Sequence, residues 1–89
     1  LDQKARRLSV VQPRLTSTLL RQTPATVVVI FIVDENGRVQ DPKVQRTTNP
    51  SFDRSAIAAI KQWKFEPAKV QGRSVSSRLR QSFSFENST

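Results

Sequence analysis

The sequence predicts an α+β fold of two layers, in which an antiparallel sheet of about three strands packs against two helices. Three observations indicate it: an unbroken apolar run at residues 27–33, a helical apolar stripe over residues 52–63, and strict alternation over residues 74–86. The 89 residues suit one domain, 1–89. We expect a basic, loosely ordered lead-in at residues 1–12 and a folded core at residues 13–86.

The folded core is predicted to open with a short helix over residues 13–21. Pro13 suits the first helical position, where its missing N–H is no loss. Leu15, Leu19 and Leu20 follow at helical spacing, and Pro24 prevents the helix from continuing.

A hairpin is predicted next. Residues 26–34 are rich in β-branched side chains and apolar on both faces, which is typical of a central strand covered on both sides. Residues 34–37 form a turn in which Gly37 supplies a positive φ. Residues 38–47 form the second strand, where Pro42 indicates a bulge or an unpaired edge position.

The second helix is expected to start near Asn49 or Ser51, either of which can cap it. Phe52, Ala56, Ile60 and Trp63 then follow at helical spacing and form one apolar stripe of about three turns. Pro67 ends this segment. The spacing favours core packing for the aromatic side chains over a ligand-stacking role.

The last predicted strand spans residues 74–86. Val75, Leu79, Phe83 and Phe85 share one face, which we expect to be buried, while serines and arginines share the other. Because no further strand follows in the chain, we expect this strand at an edge of the sheet.

Composition excludes several kinds of chemistry. The chain has no cysteine and no histidine, which removes thiolate ligands, cysteine nucleophiles, the commonest metal ligand and the commonest general base. We therefore expect no enzyme activity, no metal site and no cofactor.

The net charge of +8 favours anionic partners, or it simply keeps the surface soluble. No apolar stretch is long enough to cross a bilayer, and the chain opens at Leu1 without methionine, so we interpret it as a domain excised from a longer protein.

Residues 27–85 resemble the TonB C-terminal domain family. The hairpin sequence at residues 27–39 and the helix, exit and turn at residues 51–75 carry the resemblance. Its specific part is a combination in order and spacing: Phe52-Asp53, Ala56, the aromatic-to-proline exit at residues 63–67, and Gly72. Gln12-Pro13 stands where that family often has a Gln-Pro element before its first helix.

The resemblance implies a periplasmic domain tethered to the inner membrane by a segment absent from this chain. Such domains bind the TonB box, a short extended segment exposed by outer-membrane transporters of siderophores and iron. Through the missing N-terminal part they receive force from an ExbB/ExbD-type, proton-driven motor. A homodimer is also possible for this fold.

Docking by β-strand addition suits the predicted last strand, since an extended peptide can pair with the free backbone groups of a sheet edge. Basic side chains there can meet acidic residues flanking the TonB box, although solubility and protection against aggregation explain them equally well. For the Gln-Pro element, helix initiation is the alternative explanation. The candidate partner-binding residues are Gln12, Pro13, Arg14, Ser76, Arg78, Arg80, Ser82 and Ser84.

Two alternatives stay open. A TolA-like envelope-integrity domain or a TonB-like receptor domain would share the fold but bind other partners. A small basic nucleic-acid-binding module is the alternative from a different class. Against it, Phe83 and Phe85 fall on the face opposite Arg78 and Arg80, whereas a stacking platform needs aromatic and basic groups together. We therefore expect no nucleic-acid partner.

Overall fold

A computed structural model describes residues 2–86 and has an antiparallel three-stranded sheet at its centre. In order across the sheet the strands are β3 (Val39–Thr47), β2 (Ala25–Val33) and β7 (Ser77–Phe85), and helix α2 (Asp53–Ile60) packs against β2 and β3. The predicted α+β fold, with its sheet of three strands and two helices, is confirmed. The elements in chain order are β1 Arg6–Ser9, α1 Ser17–Leu20, β2 Ala25–Val33, β3 Val39–Thr47, a 3-10 turn Pro50–Phe52, α2 Asp53–Ile60, β4 Lys64–Glu66, β5 Ala68–Val70, β6 Arg73–Val75 and β7 Ser77–Phe85.

The central strand β2 has one buried face and one partly open face. Val27, Val29 and Val33 are fully buried, whereas the even-numbered residues between them are only half-buried. The prediction that β2 is covered on both sides is therefore wrong. Residues of α2, such as Ile60, pack against the core on the buried face of the sheet, and Leu19 of α1 also packs against that core. Neither helix of the described chain therefore covers the other face of the sheet.

Aromatic side chains make up much of the core. All six of them are buried, at 8% exposure or less. Their rings contact one another in a chain, with Trp63 edge-on to Phe83 at 5.7 Å between centroids and Phe52 tilted on Phe85 at 4.8 Å. The predicted core role of the aromatic stripe is confirmed.

The second helix is shorter than predicted. Asn49, not Ser51, accepts a capping bond, from the N–H of Ser51 at 3.0 Å, and this bond caps the 3-10 turn that leads into α2. The α-helix α2 ends at Ile60 instead of reaching Trp63. Beyond it the N–H of Trp63 donates to the carbonyl of Ile60, a tighter turn that leads the chain out of the helix. Trp63 therefore reaches the core from a turn.

The first helix is also shorter than predicted, since α1 contains only Ser17–Leu20. Thr16 has an extended backbone and its hydroxyl oxygen accepts the N–H of Leu19 at 3.2 Å. This cap fixes the start of the helix at Ser17. Pro13 consequently lies before the helix and not at its first position.

The N-terminal segment is more ordered than the sequence indicates. Strand β1 pairs antiparallel with β4, with Arg6 opposite Glu66. The carboxylate of Glu66 accepts bonds from Arg6, at 2.8 Å, and from Gln3, and these two hydrogen bonds hold its pKa below the usual value of 4.5. The pairing joins segments 60 residues apart, so no local pattern reveals it. Leu1 lies outside the described residues.

The predicted last strand is divided in two. Residues of β6 pair with β5 in a small hairpin, whereas β7 pairs with β2 in the main sheet. Ser76 lies between the two strands and belongs to neither. Within β7, the inward positions of Phe83 and Phe85 and the exposed positions of the even-numbered residues confirm the predicted alternation.

Gly37 is the glycine whose replacement costs most. Its φ is +81°, as predicted for the turn, and a Cβ atom there would lie 1.9 Å from the carbonyl oxygen of Phe65. We expect Gly37→Ala to lower the free energy of unfolding by at least about 2 kcal/mol, from backbone strain and displacement of β4. Denaturant unfolding measures it.

Gly72 provides the matched control for that measurement. Its φ of +77° is similar, but a Cβ there meets nothing within 4 Å. Gly72→Ala should therefore cost only the conformational term, about 1 kcal/mol. Equal losses in the two variants would show that the contact with Phe65 is unimportant.

Candidate functional site: the free edge of the sheet

The free edge of β7 is long and regular. Nine consecutive residue pairs join β7 to β2, from Ala25 opposite Phe85 to Val33 opposite Ser77, without a register shift. Among residues 2–86, β2 is the only strand that pairs with β7. The predicted edge position of the last strand is confirmed.

The outward backbone groups of β7 follow from the bonds made by β2. The carbonyl of Thr26 accepts from Thr48, and the N–H of Asp34 donates to Arg38, so even-numbered residues of β2 point their backbone groups toward β3. Odd-numbered residues therefore point toward β7, where they pair with odd-numbered residues. The backbone N–H and C=O groups at the outer edge belong to Arg78, Arg80, Ser82 and Ser84.

The opposite edge of the sheet is less suited to strand addition. Strand β3 has two register shifts against β2 and includes Pro42, which has no N–H to donate. Asp41 within it has a positive φ of 50°. Bulges and proline hinder the pairing of a further strand with an edge. The edge that is open to strand addition is therefore that of β7.

A groove of about 330 Å³ runs beside the C-terminal half of β7. The strand lines one side of it through residues that include Ser82 and Ser84, and the N-terminal segment lines the other through Gln12 and Pro13. Four of the residues predicted to bind a partner therefore lie around one groove. Trp63 forms part of its floor and is held by a hydrogen bond from its Nε1 to the carbonyl of Val11 at 2.9 Å.

The N-terminal half of β7 also faces the N-terminal segment. Arg80 lines a recess together with Ala5 and Arg6, and Arg78 lines another with Lys4 and Ala5. Three adjoining recesses thus follow the edge of β7 from end to end. We call the edge and these recesses the docking groove.

Two of the predicted residues lie elsewhere. Arg14 lines a separate groove with Leu19, Arg54 and Gln62, between the N-terminal segment and α2. Ser76 is exposed but precedes the ladder of β7. The structure does not bring either of them to the docking groove.

Sequence reasoning missed several residues of the N-terminal wall. Val10 is 47% exposed and lines the groove, as does Arg7. The guanidinium of Arg7 lies 5.9 Å from the centroid of the Trp63 ring, a cation–π contact. Since this wall is placed by long-range pairing, no sequence signal marked these residues.

Gln81 also lines the groove and was not among the predicted site residues, although it is a polar side chain on the apolar face of an alternating strand. Its Nε2 donates to the carbonyl of Ser82 at 2.9 Å. That carbonyl is one of the outward groups of the edge, so the amide occupies a position that an added strand would use.

The docking groove is basic. Among the described residues, five cations line its recesses, against the single carboxylate of Glu86: Lys4, Arg6, Arg7, Arg78 and Arg80. Such an edge favours extended segments that carry acidic residues beside the paired stretch. No helix in the part of the chain that the structure describes is long and apolar enough to cross a membrane.

Comparison with known proteins gives consistent matches. A family model described as "Gram-negative bacterial TonB protein C-terminal" matches residues 20–86. Protein TonB of Xanthomonas campestris pv. campestris, strain B100, is 36% identical over 55 residues, which cover 61% of this chain and 25% of that protein. The same protein of strain ATCC 33913 gives equal values. The chain thus spans about a quarter of the length of these relatives.

A solved structure agrees with these matches. The solution NMR structure of the Pseudomonas aeruginosa TonB C-terminal domain superposes with a TM-score of 0.77 at 25% sequence identity, covering 93% of this chain and 86% of that chain. Sequence and fold thus point the same way: the chain belongs to the family of Gram-negative bacterial TonB protein C-terminal domains.

Proposed function

We propose that this domain binds the TonB box of an outer-membrane transporter as an added strand along β7, without enzyme activity of its own. The observation that carries the proposal is the regular nine-residue edge of β7, which no other strand within residues 2–86 pairs with, beside recesses that follow it from end to end. The family membership supports the same conclusion, because TonB proteins serve outer-membrane transporters. Candidate contacts are the outward groups of Arg78, Arg80, Ser82 and Ser84, with Gln12 and Pro13 on the opposite wall. Arg14 and Ser76 are peripheral.

The energetics predict a reversible complex. Four outward residues offer four N–H and four C=O groups, and each backbone hydrogen bond contributes about 1 kcal/mol net. Ordering an extended peptide and losing its translational freedom subtract several kcal/mol. We therefore expect a dissociation constant on the order of 1 mM from the ladder alone, lowered by side-chain contacts along the groove.

The arrangement also suits force transmission. The ladder bonds run perpendicular to the strands, so a pull along the strands loads all of them together. In the proposed setting the domain stands in the periplasm on an inner-membrane tether, and an ExbB/ExbD-type motor pulls through that tether. The salt-bridged β1–β4 pair lies on the N-terminal side of the groove, where such a load would enter.

Calorimetric titration with a synthetic TonB-box peptide tests the proposal. We expect saturable 1:1 binding and none with a peptide of the same length in which alternate residues are replaced by proline. Proline removes the N–H groups that a ladder needs. Equal binding of both peptides would contradict strand addition.

A parallel capture experiment separates the related functions. Solubilised outer-membrane transporters should be retained by the immobilised domain, whereas envelope-integrity proteins should not. The reverse result would favour a TolA-like role. Tight binding of a defined oligonucleotide at about 150 mM salt would favour the nucleic-acid alternative, although all the aromatic rings needed for base stacking are buried.

A further inference from the structure

The outer face of the main sheet, turned away from α2, is a second surface with a defined pattern. Val28, Ile30 and Ile32 form its central column and are half-buried. Opposite them on β3 stand Arg46, Lys43 and Gln40, and opposite them on β7 stand Ser82, Arg80 and Arg78. We call these nine residues the open face.

Charge on the open face has one sign. Two cations flank the aliphatic column on each side, Lys43 and Arg46 on β3 and Arg78 and Arg80 on β7, and all four are exposed. The nearest carboxylates stand at the turn end: Asp34, engaged by the Nε2 of Gln40 at 2.9 Å, and Asp41 in the β3 bulge. The face therefore offers an apolar column between two basic columns.

The spacing of these columns matches a helix. Strands in a sheet lie about 4.8 Å apart, so the two basic columns are separated by about 10 Å. An α-helix with its side chains is about 10–12 Å across. The aliphatic column runs from Val28 to Ile32, four steps along the strand or about 14 Å, which equals about two and a half helical turns.

We propose that the open face binds an amphipathic helix of a partner protein whose apolar stripe is bordered by acidic residues on both sides. The apolar stripe covers Ile30 and its neighbours, and the acidic borders meet the two basic columns. The sheet then carries a helix on each face, as a strand with apolar residues on both sides normally requires. Arg80 gives up its 3.5 Å bond to Gln45, which crosses the central strand.

Two other occupants fit less well. A second copy of the same face would set four cations against four cations, which is repulsive. A flat anionic membrane would meet the tips of the arginines first, while the aliphatic column lies half-buried between their stems. A convex helix reaches into such a trough, whereas a bilayer surface does not.

A designed peptide tests this proposal. The probe is a cross-linked helix with leucine at positions 1, 5, 8 and 12 and glutamate on both borders of that stripe. The control replaces each glutamate by lysine. Methyl NMR of the folded domain should show shifts at Val28, Ile30 and Ile32 with the acidic helix and none with the basic one.

Charge reversal provides the matched pair of variants. Lys43→Glu/Arg46→Glu should weaken binding of the acidic helix by about tenfold or more, because like charges then face each other. Arg54→Glu/Lys61→Glu lowers the net charge equally but changes α2 and the residue just after it, and it should change the affinity less than about twofold. Both variants should keep TonB-box binding, since neither touches the edge of β7, so the two proposals fail separately.

Three outcomes would overturn the proposal. They are equal affinity in the two charge-reversal variants, methyl shifts confined to the docking groove, and shifts of the same methyl groups by anionic phosphatidylglycerol vesicles without any response to the acidic helix. The last outcome would assign the open face to a membrane surface.

Discussion

Replacing Trp63 by alanine is expected to lower the free energy of unfolding by about 3–5 kcal/mol. The indole is 5% exposed and packs against Phe65 and Phe83, at 6.2 and 5.7 Å between ring centroids. Its Nε1 also donates to the carbonyl of Val11, so the variant loses the link that holds the N-terminal wall of the groove. Since small domains have only about 5–15 kcal/mol of stability, the loss should be visible in thermal and denaturant unfolding.

Trp63→Phe is the control for this prediction. Phenylalanine keeps most of the ring packing but has no N–H for the carbonyl of Val11. It should cost less than half as much as alanine. An alanine variant as stable as the parent would show that Trp63 is not part of the core.

Replacing Ser82 by proline is expected to weaken TonB-box binding by about tenfold or more while the domain stays folded. Proline removes the outward N–H at the middle of the docking edge, and its ring occupies the space of the incoming strand. The ladder with β2 survives because its bonds come from odd-numbered residues such as Gln81 and Phe83. Calorimetry gives the affinity, and circular dichroism reports the fold.

Ser82→Ala distinguishes the contribution of the Ser82 backbone to peptide binding from that of its side chain. It removes the hydroxyl but keeps the N–H, so we expect its affinity to remain within about twofold of the parent. If the proline variant is folded and binds as well as the alanine variant, the added strand does not pair with this part of β7.

The periodicity of the apolar residues and the composition of each segment revealed the strands of the main sheet. Alternation over β7 predicted both its inward aromatics and its exposed partners, since a strand places successive side chains on opposite faces. The apolar run predicted that β2 is central. It did not reveal that one face is open, because apolar residues that are half-buried between long cationic side chains give the same sequence pattern as fully buried ones.

Elements that depend on distant pairing could not be read in the same way. Strands β1 and β4 are four and three residues long and stabilise each other across the chain.

Helix bounds were misjudged by one to four residues at each end, because the cap at Thr16 and the tight turn after Ile60 override the apolar spacing.

Part of the candidate site was predictable: Ser82 and Ser84 on the strand, and Gln12 and Pro13 on the N-terminal wall through the family resemblance. Ser82 and Ser84 were found because they alternate with buried residues on a terminal strand. Arg7 and Val10 were not found, because only the fold places them opposite β7.

Residue-resolved amide hydrogen exchange, with and without a TonB-box peptide, tests the central claim most directly. The account predicts new protection at the outward amides of Arg78, Arg80, Ser82 and Ser84. The amides of Leu79, Gln81 and Phe83, already bonded to β2, should change little. Protection that appears instead on β3 or α1, with the four outward amides unchanged, would contradict it.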